Sequence, residues 1–481
     1  MPVETERKQG VEPSLSPPVE ADLARPSEAA PPWSLARRIA LKALYVSAAL
    51  FLFILAIQFM KSGAKSLAPD LKGTFPVDNP VSTLGLGWIG AYLVLSGSPV
   101  AAVALSLFAA SALTELQAFT MLTGSRLGAS FIVLLVGFLY SLKSKNPRES
   151  TGMGVLALSL TAAVYLPGML LGYSILKAGL LNGVHWTASE QVQGLIERIW
   201  GPLLDLAKGH LAGWMLFPLG LGVLLISFKL LDRVLPQIDS ERAAGRGAWL
   251  RRPWPMFGLG CLVALLTLSV SVAITVLVPL AAKGYLDRRE AMPYIMGANI
   301  TTLADTLVAA MILGRPEGVH VVLAEAIAVA FVTIVYLVFF YRPLQNAIMA
   351  LDEWVVTSTK RLMLFVACLF VLPGILLLSG RIIGAGGRVA HAAPGNLWMS
   401  LLAAVLVALP VWGLVDAIGR PTRYWESTGF SKGAWVLALA ATAPFGVGFA
   451  VALAYFLRVR PPISAAEIVS VVALWGDEIP L

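Results

Sequence analysis

Cysteine and histidine are scarce in this chain of 481 residues. Two cysteines, Cys261 and Cys368, both lie inside apolar runs. We interpret them as small core residues rather than as parts of a disulfide framework. The four histidines fall at loops and predicted helix ends, without the spacing of metal ligands: His185, His210, His320 and His391. We therefore expect no metal site and no cofactor.

Charged residues and catalytic motifs are also sparse. Only 13% of the residues are charged. The sequence has no Gly-x-x-x-x-Gly-Lys loop, which argues against an ATP-driven pump. It has no nucleophile elbow and no cluster of acids at one membrane face, so we do not expect an enzyme. The formal net charge of +8 resides in short loops between apolar segments, where it orients a membrane protein and does not indicate nucleic-acid binding.

Apolar residues dominate the composition of the chain. They make up 57% of the chain, and the mean hydropathy is +0.78. Runs of about 20 apolar residues recur, long enough to cross a hydrocarbon core of about 30 Å. We predict an all-α polytopic protein of the cell (inner) membrane. Spans outside the repeats described below are predicted at 36–60, 153–176, 211–231, 318–341, 362–380, 397–418 and, more weakly, 435–457.

Polar motifs recur within this apolar sequence at one fixed spacing. Leu-Ser-Gly-Ser at 95–98 matches Leu-Ser-Val-Ser at 268–271, and Gly124 matches Gly297. Both pairs lie 173 positions apart, so about 60 residues repeat without a gap. Repeated units with interrupted membrane helices are typical of secondary transporters.

The polar motifs predict interruptions in membrane helices. Residues 81–112 and 254–285 are interpreted as helix–break–helix hairpins that enter the membrane and return, since Gly and Pro break a helix. Residues 117–140 and 290–313 are then crossing helices, with predicted breaks at 124–128 and 297–301. Basic loops at 141–150 and 229–252 are expected in the cytoplasm. The two repeats would therefore be inverted relative to each other, an arrangement that supports alternating access around a midplane site.

These features give a predicted organisation of six parts. They are a disordered tail (1–35), a first repeat with flanking helices (36–176), an extracytoplasmic loop (177–210), a second repeat with flanking helices (211–341), C-terminal helices (342–457) and a C-terminal tail (458–481).

Four stretches resemble the type II sodium–phosphate cotransporters. Residues 50–68 resemble the first helix of that family, and Asn79-Pro80 resembles the start of its first repeat. Residues 291–300 contain its Gly-Ala-Asn-Ile signature, and 268–280 resemble the arm after its Gln-Ser-Ser-Ser motif. Here Leu95 and Leu268 stand in place of that glutamine, and Arg126 in place of an asparagine. The resemblance implies sodium-coupled symport of inorganic phosphate.

Oxyanions bind helix N-termini and hydroxyl groups, and sodium binds hard oxygen atoms. The candidate site therefore consists of the serines of the two hairpin tips and the polar residues of the two breaks: Ser96, Ser98, Ser269, Ser271, Ser125, Arg126, Asn299, Thr301, Thr302 and Asp305. Alternatively, the small residues only allow close helix packing.

Arg126 has two interpretations. It either forms a structural ion pair with Asp305 or Glu325, or it binds the anion or stands in place of a cation. Three functions stay open: sodium-coupled phosphate symport, transport of another anion or proton-coupled transport, and a non-transporting scaffold or sensor in the membrane.

Overall fold

The computed structural model describes residues 32–74, 79–142, 147–234, 252–267, 269–386 and 429–442, with a few single positions between 413 and 459. Every regular element in these ranges is a helix. They are α1 (Pro32–Thr74), α2 (Pro80–Val94), α3 (Gly97–Ala109), α4 (Glu115–Ala129), α5 (Phe131–Ser141), α6 (Pro147–Lys177), α7 (Glu190–His210), α8 (Leu216–Val234), α9 (Pro253–Thr267), α10 (Val270–Thr275), α11 (Leu277–Ala282), α12 (Arg288–Thr301), α13 (Leu303–Leu313), α14 (Pro316–Phe339), α15 (Tyr341–Thr357), α16 (Thr359–Gly386) and α17 (Lys432–Thr442), with a short 3-10 turn at Gly213–Met215.

Within the described ranges, seven helical segments are long and apolar enough to cross a membrane. They are Ala40–Ala68, Glu115–Ser141, Pro147–Lys177, Gly213–Leu231, Arg288–Leu313, Pro316–Phe339 and Thr359–Ser379. The prediction of an all-α multi-pass membrane protein is confirmed. The predicted tail at 1–35 lies almost wholly outside the described residues, as do most of the predicted span at 397–418 and the tail at 458–481.

Two pairs of short apolar helices occupy the segments predicted as hairpins. The helices α2 and α9 have 15 residues each and α3 has 13, fewer than the ~20 residues that a membrane crossing needs. The first hairpin turns at Leu95, whose φ of 55° lies in the left-handed region and ends α2. Ser96 and Ser269 are the N-cap residues of the returning helices α3 and α10. Leu268, the counterpart of Leu95, is outside the described residues.

The predicted positions of the two later breaks are wrong. The chain is helical through both 124–128 and 297–301, and it is interrupted only at Ser130 and at Thr302. The small residues serve a close helix crossing instead. A Cβ atom at Gly124 would lie 2.1 Å from the Leu84 carbonyl oxygen of α2. Glycine is therefore needed where α4 crosses α2. The sequence pattern alone does not distinguish a glycine at a close helix crossing from a glycine at a helix break.

The same crossing occurs in both repeats. A Cβ atom at Gly87 would lie 2.0 Å from the Met121 carbonyl oxygen. At Gly260, 173 positions later, it would lie 2.0 Å from the carbonyl oxygen of Tyr294. Helices α2 and α4 therefore pack in the same register as α9 and α12. The bounds of these helices also correspond at this spacing to within one residue. The duplicated sequence thus encodes a duplicated packing unit.

Polar contacts show which helix ends lie together. At one end of the bundle, Arg315, just after α13, donates to the Phe108 carbonyl oxygen of α3 at 3.0 Å. At the other end, Arg288 at the start of α12 forms a bidentate pair with Glu149 at the start of α6, at 2.8 and 3.0 Å, and contacts buried Asp352 of α15. The end of α13 therefore lies beside the open end of the first hairpin. The start of α12 lies beside the connection that follows α5.

The predicted loop at 177–210 contains an amphipathic helix. Ser189 caps α7 by accepting from the Val192 amide, at 3.4 Å. Trp200 is buried and its indole donates to the Phe51 carbonyl oxygen of α1 at 3.0 Å. Leu195 and Leu206 are exposed on α7. The sequence interpretation missed this helix because the stretch is rich in polar residues, although its apolar residues recur with helical spacing.

Candidate functional site

The two hairpin tips meet at one cavity of about 570 Å³. Its polar lining includes Ser96 from the first tip and Ser269, Ser271 and Thr275 from the second. The rest of its wall is mainly apolar and comes from α5, α8 and both hairpins: Val94, Leu95, Pro99, Ile132, Val136, Leu225, Phe228, Val272, Val276 and Pro279. Tyr140 and Lys229, both exposed, lie at the ends of α5 and α8 and mark its mouth. The cavity therefore runs from one end of the bundle to the hairpin tips.

The two tips differ in how their first serine is used. The Ser96 hydroxyl makes no capping hydrogen bond to α3. The Ser269 hydroxyl accepts from the Val272 amide at 3.3 Å. The second serine of that tip, Ser271, is buried and donates to the Ala129 carbonyl oxygen at the end of α4, at 3.3 Å. The second tip is thus tied to the first repeat, and Ser96 keeps a hydroxyl group that faces the cavity.

A buried charged cluster lies beside the tips, outside the cavity lining. Arg126 and Asp305 form an ion pair with 3.8 Å between Nη2 and Oδ1, and only 2% and 4% of their side chains are exposed. Thr306 bridges this pair: Arg126 Nη2 donates to its hydroxyl at 2.5 Å, and that hydroxyl donates to Asp305 Oδ1 at 2.9 Å. Arg126 Nη1 also reaches Ser98 Oγ, at 3.5 Å. The ion pair anticipated from the sequence is therefore present, with a threonine between its partners.

The charged cluster is incompletely satisfied. Arg126 Nε, Asp305 Oδ2 and Glu325 Oε1 are buried and have no hydrogen-bond partner among the described residues. Glu325 does not pair with Arg126; its other oxygen, Oε2, lies 2.8 Å from the Thr123 hydroxyl. Buried polar groups without partners are costly in a membrane protein, which makes this cluster a candidate for binding a ligand or an ion.

A second polar group surrounds the interruption between α4 and α5. Ser130 and Thr161 share a hydrogen bond at 2.9 Å, and the Asn299 amide donates to the Thr161 hydroxyl at 3.1 Å. The Tyr165 hydroxyl donates to the Asn299 carbonyl oxygen at 2.7 Å, and buried Thr302 donates to the same oxygen at 3.4 Å. The group joins both repeats to α6.

Two of the residues predicted from the sequence turn away from these groups. The Ser125 hydroxyl donates to the Leu122 carbonyl oxygen of its own helix at 2.7 Å. The Thr301 hydroxyl donates to the Cys261 carbonyl oxygen of α9 at 3.0 Å. Their contacts match a packing role.

Sequence reasoning missed the side chains that complete the two groups, namely Thr123, Ser130, Thr161, Tyr165 and Thr306. Thr306 directly follows Asp305, so a charged residue in a membrane segment could have drawn attention to its neighbour. Thr161 and Tyr165 lie one helical turn apart in α6, where nothing in the sequence connects them with Asn299.

The described residues contain no group of three His, Cys, Asp or Glu side chains that could hold a metal ion. Of the two cysteines, Cys261 is half-buried and Cys368 is exposed, so the second is not a core residue. Comparisons with family models, curated proteins and solved structures found no match for this chain. The resemblance to the sodium–phosphate cotransporters rests on the quoted motifs.

Proposed function

We propose that this chain is a secondary active transporter built from two inverted repeats. The contacts at the ends of the repeats support this arrangement. Arg315 joins the end of α13, where the second repeat ends, to the open end of the first hairpin. Arg288 joins the start of α12 to Glu149, which follows α5 at the end of the first repeat. Corresponding helices of the two repeats then run in opposite directions. Two hairpins entering from opposite faces and meeting at their tips are suited to alternating access.

The proposed cargo is an inorganic oxyanion, with phosphate as the first candidate and sodium as the coupling ion. One observation carries this proposal: a buried arginine lies beside the tip at which Ser96 leaves a hydroxyl facing a cavity. Guanidinium and hydroxyl groups donate hydrogen bonds to oxyanions. The choice of phosphate as the cargo and of sodium as the coupling ion rests on the motif resemblance.

Uptake by the purified chain in liposomes tests this function. Labelled phosphate should accumulate under an inward sodium gradient, and less should accumulate when potassium replaces sodium. Sulfate supplied in excess tests whether the anion is phosphate or another oxyanion. The variant Lys208→Gln is a matched control, since Lys208 is an exposed cation on α7 whose contact is with Asp205 at 3.3 Å. Equal counts in protein-containing and empty liposomes would contradict the proposal.

A non-transporting scaffold or sensor is the second candidate. Its support is that Arg126 already has Asp305 and Thr306 as partners, and that the cavity wall is mainly apolar. Such a protein would neither take up nor exchange phosphate, sulfate or another anion in liposomes, while still folding and inserting into the membrane.

A further inference from the structure

The charged cluster has one more carboxyl group than it has cations. Within the part of the chain that the structure describes, the charged or titratable side chains that interact with Glu325 from the neighbouring helices are Arg126 of α4 and Tyr165 of α6. Asp305 of α13 interacts with both of these side chains. Arg126 and Asp305 compensate each other as an ion pair. Glu325 is fully buried, and an ionised carboxylate there would have no counter-charge of its own.

The hydrogen bonds of Thr123 also indicate that the Glu325 carboxyl group is neutral. Its hydroxyl lies 3.1 Å from the Phe119 carbonyl oxygen and 2.8 Å from Glu325 Oε2. A carbonyl oxygen can only accept, and a threonine hydroxyl has one hydrogen to donate. Two separate hydrogen bonds, with no hydrogen shared between two acceptors, therefore require Glu325 Oε2 to bear a hydrogen and to donate it to Thr123.

We propose that Glu325 binds a proton, and that this proton is a coupling ion that moves together with the anion. The inference rests on the proposed transport function. An anion bound beside Arg126 adds negative charge to a cluster that already contains Asp305 and Glu325. Its binding is therefore stronger when Glu325 is neutral, and by reciprocity the bound anion strengthens proton binding. Release of the anion on the other side of the membrane then favours release of the proton from the Glu325 carboxyl to water.

Infrared spectroscopy of the full chain in liposomes tests where the proton resides. A buried protonated carboxyl gives a C=O stretch that is separate from the carboxylate bands. Near neutral pH this band should be present in the wild type and lost in Glu325→Gln. It should persist in Glu317→Gln, a matched control, because Glu317 lies on the same helix but is exposed. It should also persist in Asp305→Asn. A band that survives in Glu325→Gln overturns the protonation of Glu325.

Transport assays test the coupling. Outer pH is kept constant so that the ionisation of external phosphate does not change, and inner pH is varied. The wild type should accumulate more labelled phosphate when the inside is more alkaline. Glu325→Gln imitates the neutral carboxyl, so it should still exchange internal for external phosphate but lose the accumulation driven by the pH gradient. Glu317→Gln should behave like the wild type.

The outcomes separate the two proposals. Sodium-driven uptake that ignores the pH gradient, or equal responses of wild type and Glu325→Gln, overturns proton coupling and leaves the transport function standing. If the wild type neither accumulates nor exchanges phosphate or sulfate under any gradient, the transport function fails and the coupling fails with it. The infrared band then still decides whether Glu325 holds the proton.

Discussion

Single substitutions in the ion pair between Arg126 and Asp305 should lower the stability of the protein strongly. We consider Arg126→Met, which keeps much of the side-chain volume, Asp305→Asn, which keeps the shape, and the double variant. Each single variant leaves one buried partner without its counter-charge. The double variant removes both charges and should recover much of the loss.

The magnitude follows from the burial and the separation of the pair. At an effective dielectric constant of about 20, unit charges 3.8 Å apart attract by about 4 kcal/mol. Removing one partner of a buried pair costs roughly 3–5 kcal/mol, mostly because the other charge stays buried. We expect losses of that size in each single variant and a coupling energy of about 2 kcal/mol or more in the cycle. Thr306 hydrogen-bonds to both partners, so it softens the cost in the single variants.

Unfolding of the membrane-embedded chain by a denaturing detergent measures these values through fluorescence of its 13 tryptophans. Lys208 and Asp205 on α7 provide the control cycle, because their side chains are 46% and 75% exposed. That cycle should give less than about 1 kcal/mol, as exposed pairs do. A double Arg126→Met, Asp305→Asn variant no more stable than the worse single variant would refute the structural role of the pair. Arg126 would then be retained for its charge alone, as a substitute for a bound cation.

Three further predictions concern the hairpin tips, the topology and the dependence on pH. Replacing Ser98 or Ser271 by leucine should abolish phosphate uptake but not membrane insertion. Thr301→Val should keep uptake, because the Thr301 hydroxyl donates to a carbonyl oxygen of α9. Normal uptake in both leucine variants would assign the serines to packing. In a variant without native cysteines, a cysteine at exposed Arg252 should react with a membrane-impermeant reagent only from the cytoplasm, and one at exposed Ser189 only from outside; labelling from the same side would rule out the inversion. Burial raises the pKa of Asp352 to about 7, and Arg288 opposes the shift. Because this folded-state pKa is above the ordinary value of 3.8, the contribution of the neutral carboxyl is present below about pH 4 and is lost as pH rises through about 7. Asp352→Asn should remove this part of the pH dependence of unfolding, and an unchanged profile would contradict it.

The membrane class and the interruption at the first tip could be predicted from the sequence because each depends on neighbouring residues. The repeat could be found by comparing the sequence with itself. A run of apolar residues is enough to predict a span, and Ser-Gly-Ser-Pro at 96–99 is enough to break a helix. The amphipathic helix α7 could also have been predicted from the sequence, since its apolar residues recur with helical spacing. The breaks at 124–128 and 297–301 were predicted wrongly because glycine has two uses. Only the position of α2 against α4 shows that Gly124 serves a close crossing.

The composition of the site was decided by tertiary structure. From the sequence, Arg126 had both Asp305 and Glu325 as candidate partners. In the folded protein, Asp305 and Thr306 lie beside Arg126, and Glu325 is hydrogen-bonded to Thr123. Ser125 and Thr301 are as polar as their neighbours, yet their hydroxyls turn to backbone carbonyl oxygens. The sequence predicts which segments enter the membrane because insertion depends on the length, the apolar composition and the flanking charges of each segment. Which side chains meet there depends on how the helices cross, and contacts between residues 180 or 202 positions apart leave no local pattern.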